Sequence, residues 1–208
     1  LHKVLHPIAG KPMLLHLLDN VDALEPARKV VIVGSGKEQL ETAVAGKGCT
    51  IALQEPQLGT GHAVQQAEDA LAGFDGDVLI LYGDVPFVPA DTMRAMLERL
   101  NSADRPAVVV LGFEPADGLR YGRVIASDSG RIEKMVEFKD ATPMERDCRL
   151  CNSGLMAVRS QDLFALLSRV GNDNAAAEYY LVDIVNIAIA DGRSCAVITT
   201  DPFDVAGI

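Results

Sequence analysis

The run Val78-Leu79-Ile80-Leu81 is apolar at every position and is followed at once by Tyr82-Gly83-Asp84-Val85-Pro86. A strand with no polar alternation must be covered on both faces, which is how strands behave in sheets sandwiched by helices. The surrounding texture agrees. Met13, Leu14, Leu17, Leu18, Val21 and Leu24 recur at helical spacing and predict a helix over 12–24. Lys29 to Val33 and Thr50 to Gln54 read as short buried strands, and 62–72 reads as a helix with Ala63, Ala67, Ala70 and Leu71 on one side. A helix over 90–100 and a strand from Ala107 to Phe113 continue the alternation, which argues for an α/β fold with a doubly wound, mainly parallel sheet. Within it, 78–81 is expected to be central.

Past Phe113 the pattern changes. Tyr121 to Ala126 and Arg131 to Phe138 flank Ser127-Asp128-Ser129-Gly130 and predict a hairpin. Thr142-Pro143-Met144-Glu145 has the residues of a capping box with Pro at the first helical position. Helices over 160–169 and 178–191 and a strand over 195–199 complete the reading. With 208 residues, no internal repeat and no linker, one domain is the simplest account. No apolar run reaches the ~20 residues of a membrane span, so no membrane partner is expected. The net charge of −10 and pI near 4.8 argue against nucleic acid, and leave any anionic ligand to local cations or a metal. Four cysteines in a chain this long fit reduced thiols in a cytoplasm better than a disulfide framework.

Asp84 carries the most chemical information. It lies just past the carboxyl end of a strand, where ligands of open α/β sheets collect. A carboxylate beside a glycine suits Mg²⁺, which takes one or two carboxylates together with substrate phosphates. A turn-forming Asp before Val-Pro fits the same residues. Gly59-Thr60-Gly61 stands at a strand-to-helix junction with backbone N–H groups that could meet a ligand, although glycine-rich turns are common. Gly34-Ser35-Gly36 lacks the third glycine of a dinucleotide fingerprint, since Gln39 stands there. Cys148-Arg149-Leu150-Cys151 is a lone pair without the four ligands of a zinc site. His2 and His6 lack the Glu of a zinc-protease helix. Glu137 and Asn152, taken alone, are ordinary polar residues at strand ends.

The ordered set is less ordinary. Lys3-Val4-Leu5-His6, Ala9-Gly10-Lys11-Pro12-Met13, Gln57-Leu58-Gly59-Thr60-Gly61-His62-Ala63, Leu81 to Pro86, Tyr121-Gly122-Arg123, Val136 to Thr142, Asn152-Ser153-Gly154 and Glu178-Tyr179-Tyr180 span the chain. Together they resemble the bacterial bifunctional N-acetylglucosamine-1-phosphate uridylyltransferase/glucosamine-1-phosphate acetyltransferase family. The resemblance implies a three-layer α/β/α, Rossmann-like nucleotide-diphospho-sugar transferase fold, with a mixed, mainly parallel sheet and an accessory β-hairpin over the sugar. It implies the conversion of UTP and N-acetylglucosamine 1-phosphate to UDP-N-acetylglucosamine and pyrophosphate, for peptidoglycan and lipopolysaccharide precursors. Lys3 would contact phosphate and Asp84 would hold Mg²⁺, both as catalytic residues. Gln54, Gly59 and Thr60 would hold the uracil, Tyr82 and Gly83 would line the nucleotide–sugar junction, and Gly122, Glu137 and Asn152 would contact the sugar. Arg123 would add positive potential. A cytoplasmic homotrimer is implied for full-length family members.

Residues 1–208 match the nucleotidyltransferase domain of that family. Its Gly-rich triphosphate loop, a second Mg²⁺-ligating Asn and the left-handed β-helix acetyltransferase domain with its hexapeptide repeats are not in the sequence, and His2 stands where the family usually has Pro. The absent N-terminal segment is expected to supply one strand of the sheet. Two rival readings remain, a sugar-1-phosphate nucleotidyltransferase of different base or sugar, and a nucleotide-sugar-binding module without catalysis.

Overall fold

The computed structural model describes residues 1–208. Ten strands are formed: β1 (Pro7–Ile8), β2 (Lys11–Pro12), β3 (Lys29–Val33), β4 (Cys49–Leu53), β5 (Asp77–Ile80), β6 (Val108–Phe113), β7 (Arg123–Ala126), β8 (Ile132–Val136), β9 (Cys151–Arg159) and β10 (Ala196–Thr199). The helices are α1 (Met13–Asp22), α2 (Lys37–Ala43), α3 (Thr60–Gln65), α4 (Ala90–Leu100), α5 (Pro143–Arg146), α6 (Ser160–Leu167) and α7 (Asp183–Ala190). None is long and apolar enough to cross a membrane.

Three layers follow from how side chains alternate across β6 and β9. Val108 and Val110, with Met156 and Val158, pack beside Leu163 and Leu167 of α6 and Ile184 and Val185 of α7. Val109, Leu111 and Phe113, with Leu155 and Ala157, pack on the other side with Met93, Met96 and Leu100 of α4. The period of two sends successive residues to opposite helical layers, so β6 and residues 155–158 of β9 are apolar on both faces. Every residue of β6 is buried.

The sheet is mixed. β10 runs parallel to β6, whereas β9 is antiparallel to both β5 and β6. β5, β6 and β10 therefore share one direction, and the reversed β9 lies between β5 and β6. This corrects the expected place of 78–81. β5 pairs on one edge only, with β9, and the central positions belong to β6 and β9. β3 and β4 form a separate parallel pair. A cavity of about 490 Å³ is lined by residues of β3, among them Val31 and Val33, by Val78 and Ile80 of β5, and by Leu14 and Leu18 of α1. The apolar character of β5 is thus matched by an apolar slot, not by a second strand within these residues.

The hairpin forms as expected, β7 pairing antiparallel with β8, and it joins the sheet through Arg123 opposite Cys151. The capping box forms too: Thr142 Oγ1 accepts from the Glu145 N–H at 3.2 Å, and Glu145 Oε2 accepts from the Thr142 N–H at 2.9 Å. Two helices are shorter than expected. After Gln65 the hydrogen bonds tighten to a three-residue spacing at Gln66, Ala67 and Glu68, so the 62–72 helix ends early. α7 begins at Asp183 because residues 179–181 are bonded to the loop before α3. The Tyr179 N–H donates to Leu58 O, the Gly61 N–H to Tyr179 O and the Leu181 N–H to Thr60 Oγ1.

Candidate active site

Lys3 and Asp84 lie 81 positions apart in sequence, and their side chains meet at 3.0 Å. Lys3 opens a single 3₁₀ turn, Lys3–Leu5, whose Val4 packs against Gly83; a Cβ on Gly83 would stand 3.1 Å from Val4 Cγ1. Asp84 follows β5 in a turn closed by the Val85 N–H donating to Tyr82 O at 3.0 Å. The turn reading of Asp84 is thus met, and the turn leaves the carboxylate exposed beside Lys3. The pair is exposed, with 62% of the Lys3 and 36% of the Asp84 side chain accessible. An ion pair in that setting is worth little, so either partner is free to exchange the other for a ligand. The Ile208 N–H donates to Asp84 O at 3.1 Å, which brings residues 207–208 beside the same turn.

Beside this pair lies a cavity of about 210 Å³ whose lining includes Thr60, Tyr82, Gly122, Glu137, Asn152 and Gly154. Three strands position the sugar candidates. Arg123 is in register with Val136 on β8 and with Cys151 on β9. Gly122, Glu137 and Asn152 are the immediate neighbours of those three residues, so they gather at one place. The Asn152 N–H donates to Gly122 O at 2.9 Å, and Asn152 Oδ1 accepts from the Gly154 N–H at 2.9 Å. The Asn152 amide nitrogen keeps its two donors for a ligand. Gly122 allows close approach, since a Cβ there would be 3.4 Å from Glu137 Oε2. Burial pushes the Glu137 carboxyl above the usual carboxylate range, with Asp140, Asp183 and Glu178 adding in that order. The Tyr82 phenol is pushed up to about 12, mainly by burial and further by Glu137 and Asp84. The Tyr82 ring fills the space a side chain at Gly154 would need, 2.7 Å from the Cβ position, and Gly154 has φ +90°. That glycine is thus required where ring and backbone meet.

The nucleotide candidates Gln54, Gly59 and Thr60 meet around the loop before α3. Gln54 is buried, and its Nε2 donates to Gly59 O at 3.0 Å and lies 3.0 Å from His62 Nδ1. Its Oε1 makes no hydrogen bond within the chain, so Gln54 both holds the loop and offers an acceptor. Of the loop's N–H groups, that of Gly61 is taken by Tyr179 O, and the Thr60 hydroxyl accepts from Leu181. Gly59 has φ +115°, and a Cβ there would stand 2.7 Å from Tyr179 O, so no other residue fits. His62 and Tyr179, whose rings lie 6.4 Å apart, complete this corner. Neither was assigned a role from sequence, although both sit in the strings Gly59 to Ala63 and Glu178 to Tyr180. Arg123 corrects another expectation. It is 4% exposed and turned away from solvent, so it does not present its charge to a ligand.

The largest cavity, about 1150 Å³, is a wide trough beside the hairpin lined by none of these residues. Size is the poorer guide here, because the 210 Å³ cavity has the converging polar groups a ligand needs. No three His, Cys, Asp or Glu residues are grouped to enclose a metal. Asp84, with one carboxylate oxygen unpaired, would suit Mg²⁺, an ion that takes one or two carboxylates together with phosphate oxygens and water.

The chain resembles the bifunctional protein GlmU of Sphingopyxis alaskensis at 72% identity over 208 residues, all of this chain and 46% of that protein. It resembles that of Novosphingobium aromaticivorans at 71% over 209 residues, and that of Rhodospirillum rubrum at 53%, each again over 46% of the relative. The chain thus spans about half the length of these relatives. Its fold matches a putative glucose-1-phosphate thymidylyltransferase from Bacillus anthracis with a TM-score of 0.74 over 99% of this chain and 79% of that one, at 17% identity. Residues 2–142 match the MobA-like NTP transferase domain. With that match over most of its length, laid on an α/β sheet that gathers Lys3, Asp84 and a polar cavity, the chain belongs to the MobA-like NTP transferase family.

Proposed function

We propose that the chain is a uridylyltransferase that converts UTP and N-acetylglucosamine 1-phosphate to UDP-N-acetylglucosamine and pyrophosphate. The observation that carries this is the placement of the Lys3–Asp84 pair beside a cavity lined by Tyr82 and Thr60 together with Gly122, Glu137 and Asn152. The high identity to bifunctional GlmU proteins supports it.

In this reading a phosphate oxygen of the sugar attacks the α-phosphorus of UTP, the α–β bridging bond breaks, and pyrophosphate leaves. No covalent enzyme intermediate is needed, so the residues act by alignment and charge neutralisation. Lys3 turns from Asp84 to the phosphates. Gln54 Oε1 accepts from the uracil imide N–H while the Gly59–Thr60 backbone faces the base edge. Glu137 accepts from ring hydroxyls, and the free Asn152 amide donors meet the acetamido carbonyl. Mg²⁺ held on Asp84 would neutralise charge on the phosphates. We propose further that the whole protein works in the cytoplasm as a homotrimer and feeds cell-wall precursor synthesis.

The test is a pyrophosphate-release assay on the full-length protein. UTP with N-acetylglucosamine 1-phosphate should exceed glucose 1-phosphate by far in kcat/KM, because the analogue leaves a buried amide unmatched. UTP should also exceed CTP, GTP and dTTP. Comparable rates for both sugars, or for a purine triphosphate, would refute the assignment of sugar or base.

A further inference from the structure

Arg123 carries a full charge into the interior without a carboxylate. It takes part in none of the ion pairs of the structure, and is 4% exposed. A buried cation must be compensated by hydrogen bonds. Here its hydrogen bonds go entirely to backbone carbonyls, and the Phe138 ring lies 6.0 Å from the guanidinium carbon. Nε donates to Cys148 O at 2.9 Å and Arg146 O at 3.3 Å, Nη2 donates to Arg146 O at 3.2 Å, and Nη1 donates to Gly118 O at 3.3 Å and to Tyr121 O. The planar fork of a guanidinium allows one side chain to bind two chain segments at once, 118–121 and 146–148.

The register shows what this clamp adjoins. Arg123 pairs with Val136 and Cys151, and the three cavity residues Gly122, Glu137 and Asn152 are each one position from one of these. Successive residues of a strand face opposite ways. The Arg123 side chain therefore works from behind the sheet while its neighbours face the cavity. The segment it grips on one side, 118–121, leads directly into Gly122, whose carbonyl receives the Asn152 N–H.

We infer that Arg123 is the positioning residue of the sugar subsite, its guanidinium clamping 118–121 to 146–148 and so fixing Gly122 against Glu137 and Asn152. This rests on the sugar reading of that cavity given above. Arg123 touches no substrate; it acts through the backbone it holds. A displacement of about 1 Å in such a frame is enough to impair a site by a large factor.

The experiment uses the full-length protein and two variants. Arg123→Met removes the donors. Gly118→Ala leaves the charge but places a Cβ 2.7 Å from Nη2, forcing the guanidinium aside. The KM for N-acetylglucosamine 1-phosphate should rise about tenfold in Arg123→Met and by a smaller factor in Gly118→Ala, the loss of charge-assisted bonds being of that order. The KM for UTP should stay within about twofold, a split that general destabilisation would not produce. Exchange of the Asn152 amide, read without any substrate, should accelerate in both variants. A parallel rise of both KM values, an unchanged sugar KM, or unchanged Asn152 exchange in a folded variant overturns the inference. If Arg123→Met does not fold, Gly118→Ala decides. Should the unmodified protein reject the sugar phosphate altogether, the functional reading fails, and amide exchange still judges the clamp.

Discussion

Lys3 and Asp84 neutralise one another at 3.0 Å at the surface, so each is already oriented but weakly held. Asp84→Asn should lower turnover by roughly a thousandfold or more, several kcal/mol of transition-state stabilisation being lost with the metal ligand. Thermal stability should move by no more than about 1 kcal/mol, because an exposed pair contributes little. Activity near that of the unmodified protein would remove Asp84 from the mechanism. Glu137 should behave in the opposite way. Burial and its acidic neighbours raise its carboxyl in the folded state. The fold then holds that proton more tightly than the unfolded chain, so the stability it contributes is complete below the unfolded value near 4.5 and is lost as pH rises through the folded one. Above the folded value the ionised, half-buried group costs the fold stability. Glu137→Gln should therefore melt above the unmodified protein at neutral pH while binding the sugar phosphate less well, and the stability gain should shrink on acidification. Melts across pH test this; a gain that grows toward low pH would show the cause to be something other than ionisation.

At the scale of elements, the junction before α3 shows how distant segments define a loop. Gly59-Thr60-Gly61 is recognisable as a string, but its shape comes from residues 179–181, which bond to both Leu58 and Thr60. Gly59→Ala places a methyl group 2.7 Å from Tyr179 O at φ +115°. Strain of this kind costs about 1–3 kcal/mol. The variant should melt lower and show a raised KM for UTP, as calorimetry and steady-state kinetics would report; an unchanged melting temperature would mean that the contact is not fixed in solution. The same bonds explain why α7 starts at Asp183. A helical pattern over 178–191 is present in the sequence, and tertiary bonding overrides it for the first turn.

For the molecule as a whole, the 490 Å³ slot between β3 and β5 is the feature with the largest consequence. Both strands present apolar side chains to it, and β5 has no partner on that edge. We propose that an extended segment from outside these 208 residues pairs there, joining β3 and β5 into one continuous sheet. A polypeptide of residues 1–208 alone should then fold in part, since it contains the two main clusters around β6 and β9, yet turn over UTP poorly and self-associate through its open edges. Light scattering and melting of the short chain against the full-length protein test this. Equal stability, solubility and turnover would show that the slot needs no occupant.

What the sequence determined by itself is local or periodic. Helix α4, the hairpin with its Ser127–Gly130 turn and the capping box at Thr142 are legible because their causes, hydrophobic period, turn residues and caps, lie within a few positions of one another. Lys3, Asp84, Gly122, Glu137 and Asn152 were singled out as candidates through motif strings. The tertiary structure alone decided how they meet. β9 runs antiparallel between β5 and β6, a choice made by packing and backbone pairing between residues 38 to 82 positions apart, and its pairing with β7 puts Asn152 beside Gly122. The tertiary structure also set β5 at an edge of the sheet and buried Arg123, which had been expected to add positive potential. Strand order and side-chain direction depend on pairings between distant segments, and no local pattern records them.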